Sequence, residues 1–482
     1  MSRQSTSAQF ALVLTGLIIC ATVQAQAPAV QRTVDAPLIQ RIADELVAEA
    51  LESNLGLTAV QAGVDQRLAA LDVARARFLP TIDLQLRYSQ ADGGREIEFP
   101  VGDLLNPAYA SLNDLLVAHG QPSPFAPVDN VSFNFLRERE QDSMLRLTQP
   151  LYDARIGAER SGAAHSYDAA RFGLAAYRLL LARDVRQAYY RWLAARESIG
   201  VLEATLGLAR ENERVNDSLH RNGKVTLDLK LRAEAERLEV EQRLLRARAT
   251  ESLARRYLNL LCNAPLVREP EAAGVSDADL PRLAARIPAS RGPALEDTAL
   301  GHRAELRQLE ASVAAAGESE RAARAAMKPQ VAFAVDAGSQ GEDWNYGDQD
   351  PYVIASVIVR FNLFRGGGDR AAIRAARARS AELSAGQAHA EQQIRIEVQE
   401  AISDLEVAEA SLATASRRVE AASAAYTIVA KKRDLGQVSP AEYLDAQRAL
   451  TEARLNGNVT RFEALGALAQ VEYAIGGVEQ QP

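Results

Sequence analysis

The sequence predicts a mostly helical fold with a membrane β-barrel part. Long coiled-coil hairpins form an α-barrel, and four β-strands per chain contribute to a barrel shared between copies. Three observations predict it. Two alanine-rich heptad segments repeat one another at an offset of 213 residues. Four short segments, two ahead of each long helix, alternate apolar and polar residues with period two. The N-terminus reads as an export signal.

The signal occupies residues 1–25. Arg3 is the only charge before Arg32, an apolar run spans Phe10 to Val23, and Val23-Gln24-Ala25 offers small residues for cleavage. Cleavage after Ala25 is preferred to lipidation at Cys20, because bulky Ile19 precedes that cysteine. Cys262 is then alone, a small buried hydrophobe at the end of the apolar run Tyr257–Leu261. Aromatic content of 5% with abundant alanine favours closely packed long helices over a thick globular core. A net charge of −8 excludes a phosphate-neutralising nucleic-acid surface.

The first repeat, 26–265, opens with a helix from Leu38 to Phe78. Residues 81–89 then place Ile82, Leu84, Leu86 and Tyr88 opposite Asp83, Gln85, Arg87 and Ser89. A long loop, 90–140, carries Gly93-Gly94 and five prolines, and Ser143–Leu151 alternates less cleanly. The long helix, Gly157 to Asn222, spans roughly 100 Å at 1.5 Å per residue. Its seam is Leu181, Val185, Ala188, Trp192, Ala195, Ile199, Leu202 and Leu206. A tip follows at Gly223-Lys224-Val225-Thr226, and a half-length helix returns from Leu227 to Cys262.

Residues 266–295, rich in Pro, Gly and acids, form a linker in the equatorial region. The second repeat, 296–476, has strands at 330–337 and 352–363 joined by a short loop, 338–351. It repeats the seam as Ile394, Val398, Ala401, Leu405, Ala408, Leu412, Ala415 and Val419. Its tip is Gly436-Gln437-Val438-Ser439, with Pro440 at the first position of the next helix. Residues 477–482 are a tail. In each repeat a helix stacked end to end on another matches one long helix, giving a regular wall.

Strands of this kind fit a lipid-facing barrel with a polar lumen. Four cannot close one, since the smallest barrels need about eight, and open edges in lipid cost several kcal/mol per unpaired group. Several copies must share the barrel; three give twelve strands and twelve helical staves, and four also satisfy the arithmetic. Enzyme chemistry has no foothold. The five histidines are scattered without metal-ligand spacing, and neither a nucleophile motif nor a phosphate loop is present. No cofactor or metal is expected.

The joints Leu147-Thr148-Gln149-Pro150-Leu151-Tyr152-Asp153 and Phe361-Asn362-Leu363-Phe364-Arg365-Gly366-Gly367-Gly368 carry a family likeness. So do Phe78-Leu79-Pro80, His302-Arg303-Ala304-Glu305-Leu306-Arg307, and Leu435 to Ser439 followed by Tyr443-Leu444-Asp445-Ala446-Gln447. In this order and duplication the chain resembles the TolC-like outer-membrane efflux family. The resemblance implies a homotrimer with a twelve-stranded barrel in outer-membrane lipid and a twelve-helix periplasmic tunnel. It also implies a periplasmic adaptor (membrane fusion) protein docked on the two tips and an inner-membrane transporter reached through that adaptor. The family exports drugs, metal ions and proteins, and nothing in the sequence selects a cargo.

By position the resemblance assigns a periplasmic gate to Glu442 and Asp445, with Arg433 as a basic partner. In the family pattern an aromatic and a basic residue flank the tip glycine; here Arg433 and Val438 stand there, with Lys431 and Lys432 beside them. The tip residues Gly223, Lys224, Val225, Thr226, Gly436, Gln437, Val438 and Ser439 are the expected adaptor-docking surface, and Asp83, Gln85, Arg87 and Arg360 the wet lining of the pore. An exported coiled-coil scaffold or adhesin without channel activity is the competing reading. It has no need of an alternating strand pair before each long helix.

Overall fold

The computed structural model describes residues 37–274, 279–284, 293–342, 344 and 351–477. The predicted signal, with Cys20, and most of the tail lie outside the described residues, as do parts of the linker and of the short loop. Along the chain, α1 (Leu38–Ser53), α2 (Leu55–Ala76), β1 (Thr81–Gln90), β2 (Glu96–Phe99), α3 (Val101–Ala118), β3 (Val131–Asn134) and β4 (Arg139–Tyr152) precede α4 (Ala154–Arg221) and α5 (Leu227–Leu261). Two short helices, α6 (Asp279–Ala284) and α7 (Pro293–His302), lead to α8 (Ala304–Ala325), β5 (Gln330–Gly341), β6 (Pro351–Arg360), α9 (Gly368–Asp434) and α10 (Pro440–Ala474).

The two long helices, 68 and 67 residues, are each about 100 Å long. Their seam positions are buried, except Ala195, Ile199, Ala408 and Val419, which are half-buried. The lower half of α4 packs along α5 and α10, its upper half along α2 and α8; α9 packs on α10 below and α8 above. At mid-height α1 and α7 pack against one side of this wall. There Tyr189 and Trp192 are fully buried, and the Tyr189 hydroxyl donates to the Glu271 carbonyl at 3.0 Å.

The helix expected from Leu38 to Phe78 is in fact two, broken at Asn54, and the break is functional to the packing. The Asn54 side-chain oxygen accepts from the Leu57 N–H at 2.9 Å, capping α2. Its amide donates to the Leu261 carbonyl at 2.8 Å, and the Ser53 hydroxyl donates to the Cys262 carbonyl at 2.6 Å. The last carbonyls of α5 are therefore satisfied by the start of α2, and the negative end of one helix dipole meets the positive end of the other. The second repeat makes the same joint with different chemistry. Arg303, the residue ahead of α8, donates to the carbonyl of Ala474, the last residue of α10, at 3.2 Å. Its buried guanidinium is neutralised by Glu305 and Glu397, each at 3.0 Å.

β1, β4, β5 and β6 form one antiparallel sheet in the order β1-β4-β5-β6, so β1 and β6 are its edges. Leu84, Leu86, Val353, Val357 and Val359 are 55–74% exposed, the signature of a face that meets lipid. The strand expected at Ser143–Leu151 is the longest in the sheet, Arg139–Tyr152; a register shift at Pro150/Tyr152 breaks its alternation. β6 stops at Arg360, so Phe361–Leu363 belong to the joint with α9 rather than to the strand.

The expected loop 90–140 is instead a folded insert. β2 and β3 pair as a hairpin, and α3 runs between them. The Asn106 amide brackets both backbone groups of Val128, at 2.9 and 2.8 Å, and Asn113 does the same to Phe125, at 2.7 and 3.3 Å. Two asparagines thus hold the proline-rich strap 121–130, which cannot build a ladder of its own.

Asn54→Ala should cost about 1–2 kcal/mol by removing a cap and orphaning the Leu261 carbonyl, with Asn54→Asp intermediate. Denaturant unfolding of the folded protein measures it. Cys262 is buried and its thiol is pushed up to about 11, chiefly by burial. It should resist iodoacetamide at neutral pH until the chain unfolds, as mass spectrometry of the alkylated protein would report.

Candidate functional site

Both tips are built the same way. Gly223 (φ 66°) and Gly436 (φ 70°) adopt the left-handed conformation that closes a helix. In each, the glycine N–H reaches back three residues and the next N–H five: Lys224 donates to the Leu219 carbonyl at 2.9 Å, Gln437 to that of Lys432 at 2.8 Å. Gly223, Lys224, Thr226, Gly436, Gln437 and Ser439 are exposed, and Val225 and Val438 are half-buried beneath them.

What ties the two arms of each hairpin together differs. In the first, the Lys230 ammonium meets the Asp217 carboxylate at 2.8 Å, and this hydrogen bond holds Asp217 below the usual carboxylate range. Position 230 corresponds to Tyr443 across the 213-residue offset. In the second hairpin the Tyr443 and Tyr426 hydroxyls share a hydrogen bond at 3.1 Å instead. The Arg433 guanidinium sits 4.0 Å from the Tyr443 ring centroid and 3.2 Å from Asp434. The aromatic partner of Arg433 therefore comes from α10 rather than from the residues flanking the glycine.

The two acidic gate candidates have different surroundings. Glu442 is committed to a capping box: its carboxylate accepts from the Ser439 N–H at 2.9 Å, and its own N–H donates to the Ser439 hydroxyl at 3.2 Å. Asp445 is exposed, one turn from Arg448. The four staves share a groove on the side away from α1 and α7, lined on α10 by Glu463, Gly466 and Gln470 and on α9 by Asp404 and Ser411. Asp445 stands five turns before Glu463 and seven before Gln470, on the same face. Arg433 stands eight turns beyond Asp404 and likewise shares its face. Arg448 reaches the carboxylate of Glu236, a buried residue of α5, at 2.8 Å, tying the two hairpins near their tips. Tyr426, Glu236 and Arg448 carry no signal in the sequence, and Tyr443 enters there only within the family motif; the shared spacing of the repeats, comparing 230 with 443, is what hints at a tether at that position.

In the sheet, Asp83 lies in register with Arg146, whose guanidinium makes a forked pair with Asp336 at 2.7 and 2.8 Å. Arg87 approaches Asp142 at 3.5 Å, and the Tyr352 hydroxyl donates to Asp142 at 3.1 Å. Tyr352 crosses above Gly338, where an added Cβ would come within 2.9 Å of its ring. Gln85 shares this side, paired with Met144; Arg360 stands apart at the lower end, opposite Gln330. Alternation also places Ile354 and Ile358 on this side, so this face of the sheet is mixed rather than wholly polar. Among the described residues no group of His, Cys, Asp and Glu could hold a metal ion, and no helix is long and apolar enough to cross a membrane.

The family model described as outer membrane efflux protein matches residues 46–263 and 295–477. The chain belongs to that family. Its relatives include the pyoverdine export outer membrane protein OpmQ of Pseudomonas putida, 24% identical over 67% of each chain. Protein CyaE of Bordetella pertussis is 31% identical over 36% of this chain and 38% of its own. Among solved structures, the CmeC outer membrane channel of Campylobacter jejuni superposes with a TM-score of 0.75 at 16% identity, covering 90% of this chain and 86% of its own. The open MtrE channel of Neisseria gonorrhoeae gives 0.70 at 19%, covering 90% and 89%. This efflux protein is thus an outer-membrane channel protein, with a strand region in the membrane and a large helical part in the periplasm, from a channel-forming family.

Ser439→Ala should loosen the start of α10 in the efflux protein by about 1 kcal/mol, and Gly436→Ala should cost about 1–2 kcal/mol through its positive φ. Faster amide exchange confined to 436–443 is the expected readout. Burial, then the Tyr443 hydrogen bond, pushes the Tyr426 hydroxyl up to about 12 from 10.0. A raised folded-state value means the tether's contribution is complete below pH 10 and is lost as pH climbs toward 12. A tyrosinate difference spectrum should lose one late-titrating group in Tyr426→Phe.

Proposed function

We propose that three copies close one twelve-stranded barrel and one tube, forming the exit duct of a tripartite efflux or type I secretion system with no catalysis of its own. The observation that carries this reading is the sheet: four strands with two free edges and an outward apolar face, set on 100 Å staves. A periplasmic adaptor docks on Gly223–Thr226 and Gly436–Ser439, and through it an inner-membrane transporter supplies substrate and energy. The role named for the Pseudomonas putida relative, pyoverdine export, supports outward transport.

At the periplasmic end Asp445 lines the passage and Arg433 tethers α9 to α10, while Glu442 serves mainly to cap α10. Three Asp445 carboxylates around one axis attract cations, which fixes the test. Purified protein should cross-link as a trimer and give discrete conductance steps in a planar bilayer, blocked by multivalent cations. Asp445→Asn should weaken that block roughly ten-fold, since converging charges produce potentials of several kT. Glu442→Gln should affect the block less and stability more. Block indifferent to Asp445→Asn removes the gate assignment; a monomer without bilayer activity removes the duct.

A further inference from the structure

We propose that the outer face of the upper α8–α9 pair is a phospholipid-headgroup site that seats the duct on the inner leaflet of its membrane. This rests on the reading of the sheet as membrane-spanning. α9 is exposed at Arg370, Arg374 and Arg377, which recur at helical spacing on one face. That face can be placed. Arg370 and Arg374 stand 25 residues, seven turns, before Arg395 and Gln399. Arg395 and Gln399 both bond Glu296 of α7, at 3.2 and 2.5 Å, so Arg370 and Arg374 share the side of the wall on which α7 packs, taken as its outer side. The opposite face of α9 carries Arg379 and Leu383, which line the groove shared with α2, α4 and α8.

The neighbouring stave agrees. Gln308, Ser312, Ala315, Ser319 and Ala322 of α8 line the same groove. Arg321 and Arg324 lie half a turn away, and exposed Lys328 follows in the turn before β5. Arg321 and Arg324 are paired within their own helix, with Glu318 and Glu320. Arg370, Arg374, Arg377 and Lys328 have no carboxylate partner among the described residues. A chain with net charge −8 therefore gathers unpaired cations at one height.

That height is set by the joints just above. Leu363 and Phe364 are 86% and 84% exposed, the most exposed large apolar side chains among the described residues, and Met327 is 46% exposed beside them. Apolar girdles of this kind mark the edge of the hydrocarbon, and the headgroup layer beyond it is about 5–8 Å deep. Arg370 lies within that layer. Arg374 and Arg377, about 9 and 14 Å along the helix from Gly368, reach it with their side chains or across one Debye length of roughly 8 Å. Guanidinium groups fork onto phosphate oxygens, so an anionic glycerophospholipid such as phosphatidylglycerol is the occupant.

The test uses the full-length protein in detergent, delipidated and titrated with phosphatidylglycerol, with bound lipid counted by native mass spectrometry and thermal stability followed in parallel. The native protein should retain phosphatidylglycerol and gain stability, and added salt should weaken both. Arg370→Gln/Arg374→Gln/Arg377→Gln should weaken retention by roughly five-fold per charge removed, while Arg379→Gln on the groove face leaves it unchanged. If the triple variant does not fold, Arg374→Gln alone read across a salt series replaces it. Equal retention by the triple variant, or retention of phosphatidylcholine as strong as that of phosphatidylglycerol, overturns the proposal. So does stabilisation by inorganic phosphate alone, which would assign the patch to soluble anions. Conductance of the triple variant separates the two readings: open channels with no lost lipid sink only the lipid site, whereas no channels from the native protein sink the duct.

Discussion

The constraint on which the rest depends is the pair of unsatisfied edges, β1 and β6. A backbone N–H or C=O facing hydrocarbon without a partner costs several kcal/mol, and each edge strand is ten residues long. In lipid a chain with this sheet is incomplete alone, and in the proposed duct its missing partner is another copy of itself. The helices obey the same rule by other means. A continuous helix satisfies its own backbone, so α4 and α9 need help only at their ends. The half-length staves end in mid-wall, and there Asn54 and Arg303 supply what water would otherwise provide.

These two joints also show what duplication preserves. Asn54 and Arg303 occupy the same place in the wall and perform the same bond with unrelated side chains. The geometry, a helix end facing a helix start, persists, while the chemistry is free to change. The tips show the same freedom: an ion pair closes one hairpin and a pair of tyrosines with an overlying guanidinium closes the other. An ion pair is screened by salt, whereas a hydrogen bond between two neutral hydroxyls is not; in alkali each tether is lost only as its lysine or tyrosine titrates.

Much of the fold was legible because its signals are periodic. The two seams, the tips and three strands follow from heptads, glycine and alternation, and the buried seam positions fall where those patterns put them. The break at Asn54 was hidden because asparagine within a long apolar pattern reads as a tolerated polar residue; its cap on Leu57 is local, but the Leu261 carbonyl it also satisfies lies 207 residues away. β4 was blurred by the bulge at Pro150, and the insert by prolines whose strap is ordered through side chains rather than a ladder. At the tip, local capping divided Glu442 from Asp445: a carboxylate three residues after a serine is a capping signature, legible in Ser439-x-x-Glu442 and outweighed by likeness to the family.

The insert above β1 and β4 has a consequence for how this protein can change. The ladder runs unbroken from Thr81 opposite Thr148 to Gln90 opposite Arg139, and Ala91 adds one further bond to the Glu138 carbonyl at 2.9 Å. The register of the barrel is therefore closed before the insert begins. Whatever lies between those ends is held by its own asparagine brackets and hairpin, with no strand of the barrel relying on it. Such a segment can diverge, lengthen or be exchanged between lineages at little cost to the channel beneath. The insert can thus evolve on a different clock from the sheet it caps.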